Sequence, residues 1–168
     1  MGRNDLVSAL GAVRIALDTS TLLYLLRGDS ARGPLVSEIM GLAADGVLEI
    51  VISAIVKMEL LVGPLRSRDE DELERVLTLT EGATGVFSPL LTPDAIAVAA
   101  EVRAKTNLRV PDALIVATAT TEGCGAIVGN DRRMERIQAM DNVGTLVDLR
   151  QFTVPRFIQL DGLVQRMA

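Results

Sequence analysis

Short apolar runs alternate along this chain with longer stretches whose apolar residues return every three or four positions. Residues 14–17, R-I-A-L, read as a short buried strand ending at Asp18. Thr19, Ser20 and Thr21 then offer hydroxyl caps to a helix through L-L-Y-L-L-R, closed by Gly28. The pattern predicts a second helix over 33–45, with Pro34 in its first turn and Gly46 beyond its end. Residues 48–52 read as a strand, and Ser53 caps a helix expected to stop at Gly63-Pro64. A polar stretch leads into a helix over about 69–80, followed by a loop and a short strand within 82–90. Thr92-Pro93-Asp94 starts a clear helix, and 107–110 reads as a loop. The remaining expectations are a helix over 112–122, a strand over 126–129, a helix after Asp131 and a last strand near 145–149.

Strands separated by helices imply an α/β fold, with helices flanking a mostly parallel central sheet. The sequence divides as one domain over 1–149 and a C-terminal extension over 150–168, whose role it does not specify. That extension holds two of the three phenylalanines and could pack on the core, join a dimer or meet a partner.

Composition narrows the chemistry. There is no histidine, which removes imidazole bases, His-based zinc sites and Ser-His-Asp triads together. One cysteine, Cys124, cannot form an internal disulfide, consistent with a cytoplasmic setting. Three Phe, one Tyr and no Trp argue against a base-stacking platform. The net charge of -5 alone would disfavour a nucleic-acid ligand. If four of the 22 acids hold metal, however, the remaining 18 nearly balance the 17 bases, so local basic patches decide. Arg14 interrupts the apolar stretch near the N-terminus, so no signal peptide is expected, and no apolar run reaches the ~20 residues of a membrane span.

Four acids fall where the pattern puts the carboxyl ends of strands and the helices that follow them: Asp18, Glu59, Asp112 and Asp131. Open α/β sheets bind ligands on that edge. On a helix, Glu59 has Ile55, Val56, Val62 and Gly63 as its neighbours and no cation in local reach, an expensive place for an unpartnered carboxylate. Asp18 has a structural alternative as a helix cap, although the three hydroxyls after it can serve that need. Asp112 suits the first turn of its helix, and Asp131 suits a cap, so each alone has an ordinary structural reading. Converging carboxylates without histidine suit Mg²⁺ or Mn²⁺, and ions of this type promote phosphodiester hydrolysis.

Taken in order, D-T-S-T-L-L-Y-L-L (18–26), S-A-I-V-K-M-E-L-L-V-G (53–63), V-P-D-A-L-I-V-A-T-A (110–119) and G-N-D-R-R-M (129–134) resemble the PIN domain. Within that family the likeness is greatest to the VapC-type toxin ribonucleases of prokaryotes, and it covers residues 14 to about 149. The resemblance implies a PIN-like α/β/α sandwich and a Mg²⁺- or Mn²⁺-dependent endoribonuclease acting on RNA. It implies metal-binding carboxylates at Asp18, Glu59, Asp112 and Asp131, with Ser20 and Asn130 in supporting roles beside them. It also implies a homodimer and, for a toxin, an antitoxin whose segment crosses the catalytic groove. Gly129 departs from the Ser or Thr of many members, which removes a hydroxyl near the metal. Arg66, Arg68 and Arg109 are the candidate contacts to RNA phosphates, placed in loops near the site.

Other classes fit less well. A phosphatase with an Asp nucleophile would want a second Asp where Ser20 stands, and an adhesion module of Asp-x-Ser-x-Ser type meets Leu22. Gly123-Cys124-Gly125 precedes a strand and has no third Gly at 128, unlike a dinucleotide loop. The alternative that stays open is a catalytically silent PIN-like domain that binds RNA or protein.

Overall fold

A computed structural model describes residues 3–144 and 151–167. Five parallel strands form the central sheet: β1 (Arg14–Leu17), β2 (Glu49–Val51), β3 (Val86–Phe87), β4 (Ala126–Gly129) and β7 (Arg156–Gln159). Their order is β3-β2-β1-β4-β7, which places β1 and β4 side by side in the middle. Antiparallel β5 (Asn142–Gly144) and β6 (Gln151–Thr153) form a separate two-stranded ribbon. The helices flanking the sheet are α1 (Arg3–Leu10), α2 (Thr19–Leu26), α3 (Gly33–Ala44), α4 (Ala54–Ser67), α5 (Glu70–Leu77), α6 (Pro93–Thr106), α7 (Val110–Thr121) and α8 (Leu160–Met167). The expected α/β/α sandwich is what forms.

The central strands are apolar because both faces of the sheet are covered. Ile15 pairs with Ile50 across β1–β2, Ile127 pairs with Ala16 across β1–β4, and all three isoleucines are fully buried. Each such side chain contributes roughly 1.5–3 kcal/mol of burial free energy. The same register pairs Leu17 with Val128, so the chain leaves β1 at Asp18 alongside Gly129 at the end of β4. This adjacency builds the site.

Several elements differ from the sequence expectation. α4 does not stop at Gly63-Pro64; it carries Pro64 inside and runs to Ser67, with Arg68 capping it in the left-handed conformation at φ 56°. Pro64 forgoes one helical hydrogen bond, but it is buried. The Ser67 hydroxyl donates back to the carbonyls of Gly63 and Pro64, at 3.2 and 3.3 Å. The helix expected over 69–80 ends at Leu77 and passes into a π-helical turn over Thr78–Gly82. After Asp131 the chain forms a 3₁₀ segment, Arg132–Ala139, rather than an α-helix. Its buried residues, Met134 and Ile137, are three apart, which is the spacing a threefold helix brings onto one side.

The N-terminal helix α1 was not anticipated; it inserts Leu6 and Leu10, one turn apart, into the core. The strand expected at 145–149 lies outside the described residues. Most consequential is the segment after 150, which supplies β7, paired in parallel with β4 over Ala126–Gly129, and then α8. Phe157 and Leu160 are buried there, so these residues complete the sheet on which the site rests.

Candidate metal centre

Asp18, Thr19, Ser20, Glu59, Arg109, Asp112, Ile115, Asp131 and Met134 line one cavity of about 140 Å³ at the carboxyl edge of the sheet. Its four acids come from four elements: Asp18 follows β1, Glu59 lies on α4, Asp112 is in the first turn of α7, and Asp131 follows β4. The β1–β4 adjacency brings the first and last together. The N-terminal parts of α4 and α7, which start from loops at the same edge, bring in the other two.

Asp18 is only 5% exposed. It is the N-cap of α2: the Thr21 backbone N–H and the Thr21 hydroxyl each donate to Oδ1 at 2.8 Å. The cap therefore comes from Asp18 itself and not from the hydroxyls that follow it, correcting the sequence reading. Ser20 donates to both carboxylate oxygens, at 2.8 and 3.0 Å, and the backbone N–H of Asn130 also bonds to Asp18. Burial pushes the Asp18 carboxyl above its usual range, and these donors pull it partway back. Among the described residues no cation pairs with it. Gly129 makes this placement possible. A Cβ built at 129 would lie 2.3 Å from Asp18 Oδ2 and 2.6 Å from Cγ, inside any allowed contact. At Gly129 the acid therefore lies directly against the strand.

Glu59 is half-buried and accepts a hydrogen bond from the Thr19 hydroxyl, in the turn that carries Asp18. No Lys or Arg is paired with it among the described residues; the nearby Lys57 pairs instead with Glu81. Asp112 and Asp131 differ. Arg109 approaches Asp112 with Nε at 3.0 Å from Oδ2 and Nη2 at 3.4 Å from Oδ1, and Nη2 also lies 3.4 Å from Asp131 Oδ2. Arg133 grips Asp131 through Nη2 at 2.5 Å and through its backbone N–H at 3.0 Å, which makes Asp131 the N-cap of the 3₁₀ segment. Hydrogen bonding from Arg133 holds the Asp131 carboxyl below its usual range.

Two supporting residues divide the work unevenly. Ser20 stands beside Asp18 as expected. Asn130 reaches the site only through its backbone. Its side-chain amide points the other way, donating to Tyr24 Oη at 3.2 Å and Asp161 Oδ1 at 3.0 Å, while its oxygen accepts from the Asp161 backbone N–H at 3.0 Å. Arg32 pairs with the same Asp161 at 2.7 Å and stacks on the Tyr24 ring, so Asn130 fastens α8 to α2.

Arg66 and Arg68 do not line the cavity. They sit at the far end of α4, about 10 Å (Arg66) and about 14 Å (Arg68) from Glu59 along the axis at 1.5 Å per residue. Arg66 is helical, not in a loop as the sequence suggested. Arg109 does line the cavity, engaged with the acids. Sequence reasoning missed Thr19, the Gly129 contact and this role of Arg109. Only Thr19, adjacent to an acid already singled out, left a local signal.

The donors are all oxygen, in carboxylates and hydroxyls, which is the chemistry a hard divalent cation takes. Asp18 supports the fit further, as a buried carboxylate with neutral donors only. Arg109 marks where positive charge is already needed between Asp112 and Asp131. Among the described residues no three acids stand close enough to form a ready-made ligand set, so binding an ion requires their side chains to close in.

A parallel five-stranded sheet with an acid-lined cavity at its carboxyl edge defines the architectural class. Residues 15–140 match the family model described as the PIN domain, and the chain belongs to that family. Solved structures share the fold. VapBC2 from Rickettsia felis, bound to a DNA fragment from their promoter, matches at 17% identity and a TM-score of 0.64, covering 87% of this chain and 98% of that one. A toxin-antitoxin complex from Klebsiella pneumoniae matches at 19% and 0.56, covering 75% and 92%. VapC20 of Mycobacterium tuberculosis, a sarcin-ricin loop cleaving toxin, matches at 20% and 0.53, covering 67% and 86%. Among curated proteins there is no significant match to the chain.

Proposed function

We propose that this protein is a Mg²⁺- or Mn²⁺-dependent endoribonuclease, the toxin member of a toxin-antitoxin pair. The observation that carries this reading is that Asp18, Glu59, Asp112 and Asp131, from four separate elements, line one small cavity and offer it carboxylate oxygens. These four would hold the ion, which when bound polarises the scissile phosphate and makes an attacking water acidic. The protein's own contribution is to aim the carboxylates. Ser20 and Thr21 hold Asp18, Thr19 turns Glu59 toward it, and Arg133 fixes Asp131. Arg66 and Arg68, beyond the cavity on the end of α4, would meet RNA phosphates away from the cleaved bond.

The toxin-antitoxin assignment takes support from the Klebsiella pneumoniae neighbour, and RNA as substrate from the Mycobacterium tuberculosis one. An antitoxin and a second copy of the chain are the proposed protein partners. Apolar Met58, Val62, Leu65, Phe87 and Leu90 are exposed along a groove between α4 and the edge strand β3, and assembly would cover such surface. Among the described residues no helix is long and apolar enough to cross a membrane, and the reading places the protein in the cytoplasm.

One observation favours a second reading, the catalytically silent binding domain: Arg109 and Arg133 already neutralise two of the four acids. Cleavage of labelled single-stranded RNA in Mn²⁺ separates the two. The nuclease reading expects cutting that EDTA stops and that Asp18→Asn and Asp112→Asn both abolish. Equal cutting by all three proteins, or none on a broad RNA panel, would refute it.

A further inference from the structure

Arg109 occupies an unusual position for a substrate-binding cation. It stands at the N-cap of α7, contributes no side-chain cap and sends its guanidinium across the cavity mouth. Its side chain is 59% exposed, whereas those of the two acids it spans are 11% exposed for Asp112 and 27% for Asp131. One outer residue thus supplies charge to two inner acids, of which Asp131 is gripped by Arg133 as well. Asp18 and Glu59, across the same cavity, are satisfied by hydroxyl and amide donors instead.

A divalent ion bound by Asp112 and Asp131 needs the carboxylate lone pairs that Arg109 now occupies, and it would sit beside a like charge. Both cannot be held at once. We propose that Arg109 is a built-in competitor of the metal: its guanidinium bridges Asp112 and Asp131 in the metal-free protein and swings outward when the ion binds. This rests on the metal-dependent reading above and extends it by assigning Arg109 the role of setting the metal affinity. An exposed arginine can leave readily, since pairs of this kind are weak and the long side chain regains rotamer freedom. The backbones that carry the two acids stay where helix and strand put them, while their side chains close on the ion.

The test is Mn²⁺ titration calorimetry on the full chain after EDTA treatment, comparing wild type with Arg109→Ala and Arg103→Ala. Arg103 is exposed on α6 and does not line the cavity, so its removal measures loss of a charge alone. Arg109→Ala is expected to bind Mn²⁺ about fivefold more tightly, equivalent to about 1 kcal/mol, and Arg103→Ala within twofold of wild type. Thermal melts give a second readout. Arg109→Ala melts below wild type in EDTA, because Asp112 has lost its partner, and the gap closes in saturating Mn²⁺. A purely structural ion pair would leave the same gap in both conditions.

Equal or weaker affinity in Arg109→Ala, a matching gain in Arg103→Ala, or an unchanged melting gap overturns the proposal. No Mn²⁺ binding by any of the three overturns it together with the nuclease reading. Tighter binding by Arg109→Ala without RNA cleavage by wild type supports the competition and refutes the nuclease.

Discussion

Replacing Gly129 with alanine adds one methyl group at the point where β4 meets the first acid. The new Cβ would lie 2.3 Å from Asp18 Oδ2, 2.6 Å from Cγ and 3.2 Å from Phe157 Cε2. The last of these can relax by a few tenths of an ångström, but the first two cannot. Asp18 is pinned by the Thr21 N–H and by the hydroxyls of Thr21 and Ser20, so escaping the methyl means breaking that set. Losing the cap of α2 costs about 1 kcal/mol, and overpacking a closed site typically costs another 1–3 kcal/mol. A total of about 2–4 kcal/mol corresponds to a fall in melting temperature of roughly 5–15 °C for a domain of this size. Circular-dichroism melts in EDTA measure this, and RNA cleavage in Mn²⁺ should drop because the displaced acid no longer faces the cavity. Gly129→Ser should behave alike, since its hydroxyl does not remove the steric conflict. A Gly129→Ala protein melting within about 1 °C of wild type with undiminished cleavage would refute the claim that glycine sets the position of Asp18.

The network that fastens α8 yields the remaining expectations. Hydrogen bonding from Arg32 holds the Asp161 carboxyl below its usual range, so its contribution to stability is present at neutral pH and is lost as pH falls through the folded-state pKa. Wild type should therefore lose stability more steeply than Asp161→Asn as pH drops below about 4, and parallel pH–stability curves would contradict the pairing. Asn130→Ala should lower the melting temperature by a few degrees through the lost Tyr24 and Asp161 bonds while leaving Mn²⁺ affinity unchanged. A weakened affinity would instead give its amide a direct part in the metal centre.

What the sequence could disclose followed the range of each interaction. β1 and β4 were legible because strands buried on both faces read as continuous apolar runs, and Asp18 and Asp131 are fixed by where those runs end. Glu59 was legible because its helical neighbours offered no cation. β7 was not: Q-F-T-V-P-R-F-I-Q mixes polar and apolar residues around Pro155, and its place beside β4 is decided across 30 residues of chain. α1 is one short amphipathic turn pair whose two core leucines carry little periodic signal. Arg109 reads along the chain as a phosphate contact, whereas its reach to Asp131 is a tertiary contact 22 residues away. The Gly129 contact exists only once β1 and β4 are set side by side. A missing hydroxyl read as a deficit along the chain therefore becomes, in three dimensions, the space into which an acid fits.

Crystals grown with Mn²⁺ and measured for anomalous scattering would probe the central claim most directly. The expected result is one or two peaks within the cavity bounded by Asp18, Glu59, Asp112 and Asp131, with the Arg109 guanidinium turned away. An ion bound elsewhere, or no peak at saturating Mn²⁺ with Arg109 still bridging Asp112 and Asp131, would contradict it.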